Sequence, residues 1–122
     1  MPKFVEMDRT VTLADQLKDE GGAVVLVNTF VAAPEDADQL LAAWAADAAI
    51  MKRQPGFISS QLHRGVAGSG AFLNYAVWES VAHFRAAFAN PEFRARLAEY
   101  PESATASPHL FRPVAVPGIC VE

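Results

Sequence analysis

The stretch "AFLNYAVWES", residues 71–80, reads as a strand buried on both faces. Side chains alternate along a strand, so Phe72, Asn74, Ala76 and Trp78 share one side and Leu73, Tyr75 and Val77 the other. Apolar character on both sides predicts an interior strand with a cover on each face. Asn74 breaks the pattern. An amide buried without a partner costs about 1–3 kcal/mol, so Asn74 either ties itself to backbone or is kept for a ligand.

Working outward, "FISSQLHR" (57–64) alternates like a half-buried strand, and "GVAGSG" (65–70) supplies a hairpin connection into 71–78. Ser80 is placed to cap a helix that turns Val81, Phe84 and Phe88 inward. Asn90-Pro91 opens a second helix with Phe93, Leu97 and Tyr100 on one stripe, and Pro101 ends it. Upstream, "AVVLVNTFVA" (23–32) is a second long apolar strand with Asn28 as its one amide. Pro34, Glu35 and Asp36 open a helix whose core stripe is Leu40, Leu41, Trp44, Ala48 and Met51, stopped by Gln54-Pro55-Gly56. "HLFRPVAV" (109–116) is the expected last strand, with Pro113 marking an edge or a bulge.

The order strand, helix, strand, strand, helix pair, strand is the split βαβ pattern. It predicts an α+β, ferredoxin-like sandwich with an antiparallel four-stranded sheet and helices on one face. Residues 23–116 form this domain, 1–22 an N-terminal extension with a short helix capped by Thr12, and 117–122 a C-terminal tail. Strands apolar on both faces need a cover for the side without helices. A second copy of the sheet is the simplest one, so a homodimer is expected.

At 122 residues and 52% hydrophobic composition, the chain supports one domain with a packed core. No apolar run reaches the roughly 18–20 residues of a membrane helix, and "MPKFVEMDRT" lacks the apolar segment of a signal peptide. The single cysteine, Cys120, excludes an internal disulfide, and a cytoplasmic location with no membrane partner is expected. Net charge is −4, and Arg94 and Arg96 lie among Glu92 and Glu99, so no nucleic-acid footprint is present.

Common catalytic and nucleotide-binding motifs are missing. "GVAGSG" has neither the strand-to-helix context nor the lysine of a phosphate loop. His63, His83 and His109 fall on separate elements, so no metal site is expected, and Cys120 has no adjacent base. Asn74 and Trp78 remain. Their Cα atoms are about 13 Å apart along a strand, a span over which two hydrogen-bond donors can frame a flat aromatic ligand. The competing assignments are an amide bonded to backbone, a tryptophan that is simply core, and Arg94 in an exposed helix salt bridge.

"PGFISSQLHRG" (55–65) followed by "NYAVWES" (74–80) resembles the antibiotic biosynthesis monooxygenase family. The resemblance spans about residues 23–116 and is most specific at Pro55-Gly56-Phe57 and the Asn-x-x-x-Trp-Glu-Ser run. It implies a ferredoxin-like fold paired through its sheets into a dimeric α+β barrel. Within the family the motif is similar to that of anthrone-oxidising enzymes of aromatic polyketide pathways, which use O2 with neither metal nor flavin. The match implies that Asn74 and Trp78 bind substrate oxygens and the oxygen-derived intermediate. Counted back from Tyr100-Pro101, Arg94 falls on that group's functional arginine, and Phe84 stands where the group has an active-site tyrosine.

Asn28 aligns with a pocket asparagine of haem-degrading relatives, but Ala87 and Leu97 occupy the places of their tryptophan and iron-ligating histidine. The expectation is a cofactor-free monooxygenase that oxidises an aromatic anthrone or hydroquinol with O2 to a quinone. Asn74, Trp78 and Arg94 are its catalytic residues, and Asn28, Phe72, Phe84 and Phe88 bind substrate. The alternatives are a non-catalytic dimeric ligand-binding protein and, behind it, haem degradation.

Overall fold

The computed structural model describes residues 1–121. Its elements are β1 (Lys3–Phe4), α1 (Leu13–Gln16), β2 (Val24–Val31), α2 (Ala37–Lys52), β3 (Phe57–Arg64), β4 (Ala71–Trp78), α3 (Val81–Phe88), α4 (Pro91–Arg96) and β5 (Thr105–Phe111). The strands form one open sheet in the order β1-β5-β2-β4-β3. The four long strands pair antiparallel and make the expected ferredoxin-like frame, with β2 and β4 in the middle. The N-terminal segment adds a fifth, very short strand, parallel to β5.

Local signals set the helix starts. Ser80 Oγ accepts the His83 N–H, and Asn90 Oδ1 accepts those of Glu92 and Phe93. Thr12 and Asp15 form a reciprocal capping box on α1. A 3-10 turn over Pro34–Asp36 leads into α2, whose most buried line is Leu40, Ala43, Asp47 and Ile50. This line is rotated from the stripe read in the sequence, and Leu41 is exposed.

The last strand also differs from its expected range of 109–116. It begins at Thr105 and stops at Phe111, so Pro113 lies outside the sheet. The strand begins earlier than its apolar run: "TASP", too polar to read as a strand, pairs with β2 through Asn28–Val31, with Pro108 inside the ladder opposite Asn28. Beyond it the chain turns back through a Val116–Cys120 bridge with Gly118 at φ 77.

Residues 1–22 are docked along β5. Gln16 clamps the strand: its Nε2 donates to the Leu110 carbonyl at 2.9 Å, and its Oε1 accepts the Leu110 N–H at 2.9 Å. The same amide lies 3.0 Å from His109 Nε2. Leu13 is buried beside Val81, Phe84 and Leu110.

All helices pack on one face. The core has two clusters, one around Phe30, Leu40, Phe72 and Tyr100, the other around Leu26, Trp78, Val81 and Phe84. Met51 and Phe88 pack against both. The opposite sheet face carries Val25, Val27, Leu73, Tyr75 and Val77, none of which belongs to either cluster. No helix among the described residues is long and apolar enough to cross a membrane.

If Gln16 anchors the N-terminal segment, Gln16→Ala unlocks it. The expected result is a loss of about 1–3 kcal/mol in denaturant unfolding, since the Leu110 backbone groups lose their partner. Limited proteolysis should then cut first between residues 1 and 22. Unchanged stability and protection would show that the clamp is dispensable.

Candidate active site

Between the two core clusters lies a cavity roofed by α2, α3 and α4 and floored by the sheet. Asn28 and Asn74 face each other directly in the β2–β4 register, so both amides project from the floor toward the helices. Directly opposed Cβ atoms are typically about 4.5–5.5 Å apart, which makes the two amides one polar patch. Trp78 lies four residues along β4 on the same face and is 1% exposed. Its indole is held edge-on by Phe57 at 5.5 Å and Phe84 at 5.8 Å between ring centres.

Asn28 Oδ1, Asn74 Oδ1 and Trp78 Nε1 are all buried and have no hydrogen-bond partner among the described residues. Neither strand backbone nor a neighbouring side chain satisfies them. Leaving a buried polar atom unpaired costs about 1–3 kcal/mol, so three around one cavity form a costly, preset polar surface. An amide exchanges its oxygen and nitrogen by a half-turn, so each asparagine can present either end to a ligand. The remaining orphan, His109 Nδ1, lies on β5 away from this lining.

Across the cavity, α2 supplies Asp47, which is 7% exposed. Its Oδ2 accepts a hydrogen bond from Tyr100 Oη. Tyr100 also lines the cavity and stacks on Phe30 at 5.6 Å. Burial pushes the Asp47 carboxyl up to about 7; the Tyr100 hydroxyl works against this and the Glu99 carboxylate adds to it. Burial, and then the charge of Asp47, push the Tyr100 phenol far up, so it remains a donor.

Most of the rest of the lining is apolar, with aromatic rings prominent. Phe84 and Phe88 stack at 5.3 Å, and Phe4 of β1 meets Phe88 edge-on at 6.4 Å. Pro2 and Phe4 thus carry the N-terminal segment onto the cavity wall. The space is narrow, with about 50 Å³ available to the centres of water molecules. That holds a few waters, at about 10–15 Å³ each. A fused-ring aromatic enters only if side chains such as Phe88 and Phe4 swing aside.

Of the residues singled out in the sequence, Asn28, Asn74, Trp78, Phe84 and Phe88 meet at this cavity. Phe72 does not. It packs in the core cluster with the Arg64 guanidinium 5.2 Å from its ring. Arg94 is also outside the lining, exposed on α4, with its guanidinium 4.5 Å over the outer side of Phe88. It borders an adjoining groove with Phe4 and Glu6. None of the three histidines lines the cavity, so no side chain there offers an imidazole to a haem iron.

Asp47 and Tyr100 were missed as functional groups. The signal was present: Asp47 sits three residues after Trp44 and seven after Leu40, a carboxylate on an otherwise apolar helical stripe.

The Asp47 environment gives a stability signature. In the native protein the carboxyl keeps its proton up to about pH 7, whereas its ordinary value is 3.8. Between these values the native state binds the extra proton, so stability falls as pH rises, by at most about 1.4 kcal/mol per unit. Asp47→Asn keeps an acceptor for Tyr100 and removes the titration. Thermal melts from pH 4 to 8 should show the variant gaining on wild type as pH rises; parallel curves would refute the raised carboxyl.

Comparisons with known proteins agree with this architecture. The family model described as "Antibiotic biosynthesis monooxygenase" matches residues 23–99. Among solved structures, the chain is similar to SnoaB from Streptomyces nogalater, described as a cofactor-independent oxygenase. The two share 29% identity with a TM-score of 0.69, over 80% of this chain and 99% of that one. A monooxygenase candidate from Shewanella loihica PV-4 is similar at 28% identity and TM-score 0.66, again over 80% and 99% of the two chains. Rv0793 from Mycobacterium tuberculosis shares the fold at 17% identity and TM-score 0.63, over 79% and 99%. No curated protein sequence matches. With β2, β3, β4, α2, α3, α4 and most of the cavity lining inside the matched segment, the chain belongs to the antibiotic biosynthesis monooxygenase family.

Proposed function

We propose that this protein is a cofactor-independent monooxygenase that converts an aromatic anthrone or hydroquinol into a quinone with O2. The observation that carries this reading is the set of three buried polar groups unpaired among the described residues, Asn28, Asn74 and Trp78, in a cavity wall that is mostly aromatic and aliphatic. An apolar slot with a few oriented polar groups is the usual form of a small-molecule site. The polar groups here suit a flat ligand with oxygens on its edge. The similarity to SnoaB, a cofactor-independent oxygenase, supports the reaction class.

The chemistry needs little from the protein. An anthrone methylene is acidic because its anion is a delocalised aromatic oxyanion. Amide N–H groups of Asn28 and Asn74 and the Trp78 Nε1–H stabilise charge on that oxygen, and the aromatic wall excludes water. The anion gives one electron to O2, and the resulting radical and superoxide combine into a peroxide. Loss of the remaining C–H proton with cleavage of the O–O bond gives the new carbonyl and hydroxide, which is protonated to water. From an anthrone, one oxygen atom of O2 enters the quinone and the other leaves as water; a hydroquinol reacts in the same way at a ring C–H beside its oxyanion, giving a hydroxyquinone and water. Arg94, stacked on Phe88 outside the cavity, contributes positive charge at its flank rather than a direct contact.

The assembly is a homodimer in this proposal. Helices cover one sheet face only, while Tyr75 and Val31 on the other face are 46% and 53% exposed. Sedimentation equilibrium at micromolar concentration is expected to give twice the chain mass of 13.1 kDa; a stable monomer would contradict it.

The site is tested by O2 uptake with a panel of anthrones and hydroquinols, beside thermal melts. Asn74→Ala should lower turnover about a hundred- to thousand-fold, the usual effect of removing one oriented oxyanion donor. It should leave stability nearly unchanged, because the Asn74 oxygen has no partner to lose. Trp78→Phe keeps most of the aromatic bulk and deletes the N–H, so it should slow turnover without unfolding the core. If Asn74→Ala instead melts far below wild type while turnover per folded protein is retained, the amide is scaffold. No quinol-dependent O2 uptake by wild type would favour a non-catalytic ligand-binding protein.

A further inference from the structure

Asp47 is a buried carboxyl that no packing argument requires. It occupies the inward line of α2 between Ala43 and Ile50, where an apolar residue would fill the space without a charge to desolvate. It lines the same cavity as Asn28, Asn74 and Trp78 but on the opposite wall. Its Oδ2 is taken by Tyr100 Oη, and among the described residues no protein donor reaches its other oxygen. Tyr100 is fixed in turn: it is 2% exposed, stacked on Phe30, and held at the end of the 3-10 turn that follows α4.

The deprotonation that begins the proposed reaction needs an acceptor, and the amides and the indole are not bases. We propose that Asp47 is the catalytic base that takes the substrate's acidic proton, with Tyr100 as the residue that positions it. The assignment rests on the functional reading above and adds its missing proton path. The Asp47 carboxylate takes one proton from the substrate methylene as the C–H electron pair moves into the oxyanion. The resulting carboxylic acid returns this proton to the peroxide after O2 has added. The carboxylate then takes the second C–H proton as the O–O bond breaks, and delivers it to the departing hydroxide as water. Each cycle consumes one O2 and restores Asp47 to its starting form.

The surroundings suit that role. Tyr100 and Glu99 are the titratable groups that act on Asp47 from the segment packed against α2. Glu99 is itself paired with Arg96 at 3.0 Å. From β3, which also packs on α2, the cavity-lining residues are Phe57 and Ser60, neither of which titrates; α4, packed on α2 as well, lines the cavity with Phe93 and keeps Glu92, Arg94 and Arg96 exposed. A carboxyl pushed up to about 7 is half ionised at neutral pH and basic enough to accept a proton from a weak carbon acid.

The test compares wild type, Asp47→Asn and Tyr100→Phe in O2 uptake with the anthrone and hydroquinol panel from pH 5 to 9. Wild-type kcat/KM should climb with pH through neutrality, half-maximal near pH 7, and level off above it. Asp47→Asn should be about a hundred- to ten-thousand-fold slower and should lack that rising limb. Tyr100→Phe keeps the ring against Phe30 and removes a hydrogen bond that favours the carboxylate, so its limb should move to higher pH. A purely structural Tyr100 would lower stability without moving the limb. Wild-type turnover matched by Asp47→Asn at every pH would overturn the assignment and leave the oxygenase reading standing.

A second arm needs no turnover: para-nitrophenol, whose anion is yellow, is added without any oxidisable substrate. Wild type should raise the ionised fraction of the bound phenol and Asp47→Asn should not. Equal fractions in both proteins, or no binding, would overturn the base even if the panel contains no substrate.

Discussion

The register between the two central strands is the constraint on which the rest depends. With Asn28 opposite Asn74, β2 and β4 place both amides on the helical face in one patch, and Trp78 follows two side chains further along the same face. A slip of one residue would send Asn74 and Trp78 to the other side of the sheet and present Tyr75 and Val77 to the helices. The apolar residues that fix the register are those that build the core: Leu26 and Phe30 on β2, Phe72, Ala76 and Trp78 on β4. Fold and site are therefore specified by the same alternation.

Within that frame the site works against stability. Unpaired amide oxygens, an unpaired indole N–H and a buried carboxyl all sit where apolar side chains would pack at less cost. The aromatic network around them offsets this: Phe57, Trp78, Phe84, Phe88 and Phe93 touch in sequence through ring contacts of 5.3–5.8 Å. Phe88 is the link that faces both the cavity and Arg94. Its partial exposure, together with the Phe4 contact from the N-terminal strand, makes this corner the place where the narrow cavity can widen for a ligand.

Much of this was legible because it is local. Strand alternation over 71–78, the Ser80 and Asn90 caps and the breaks at Pro55-Gly56 and Pro101 all act within a few residues of themselves. The pairing of Asn28 with Asn74 was not, since register joins positions far apart in sequence. The strand at Thr105–Phe111 was displaced in the reading because its first half, "TASP", has no apolar run and owes its conformation to β2. Residues 1–22 read as an extension because a two-residue strand has no periodicity. What docks them is Gln16 on the Leu110 backbone. Asp47 was hidden by its neighbours, as an apolar helical stripe draws attention away from the charge within it.

The most direct measurement is the fate of labelled oxygen. The purified protein, stripped with a chelator and shown to carry no flavin or haem, is given an anthrone under ¹⁸O2, and the product is analysed by mass spectrometry. Cofactor-independent monooxygenation in this cavity predicts a quinone carrying one labelled atom, the other appearing in water, with no hydrogen peroxide. An unlabelled quinone with peroxide released, or activity that returns only when a metal or flavin is restored, would contradict it.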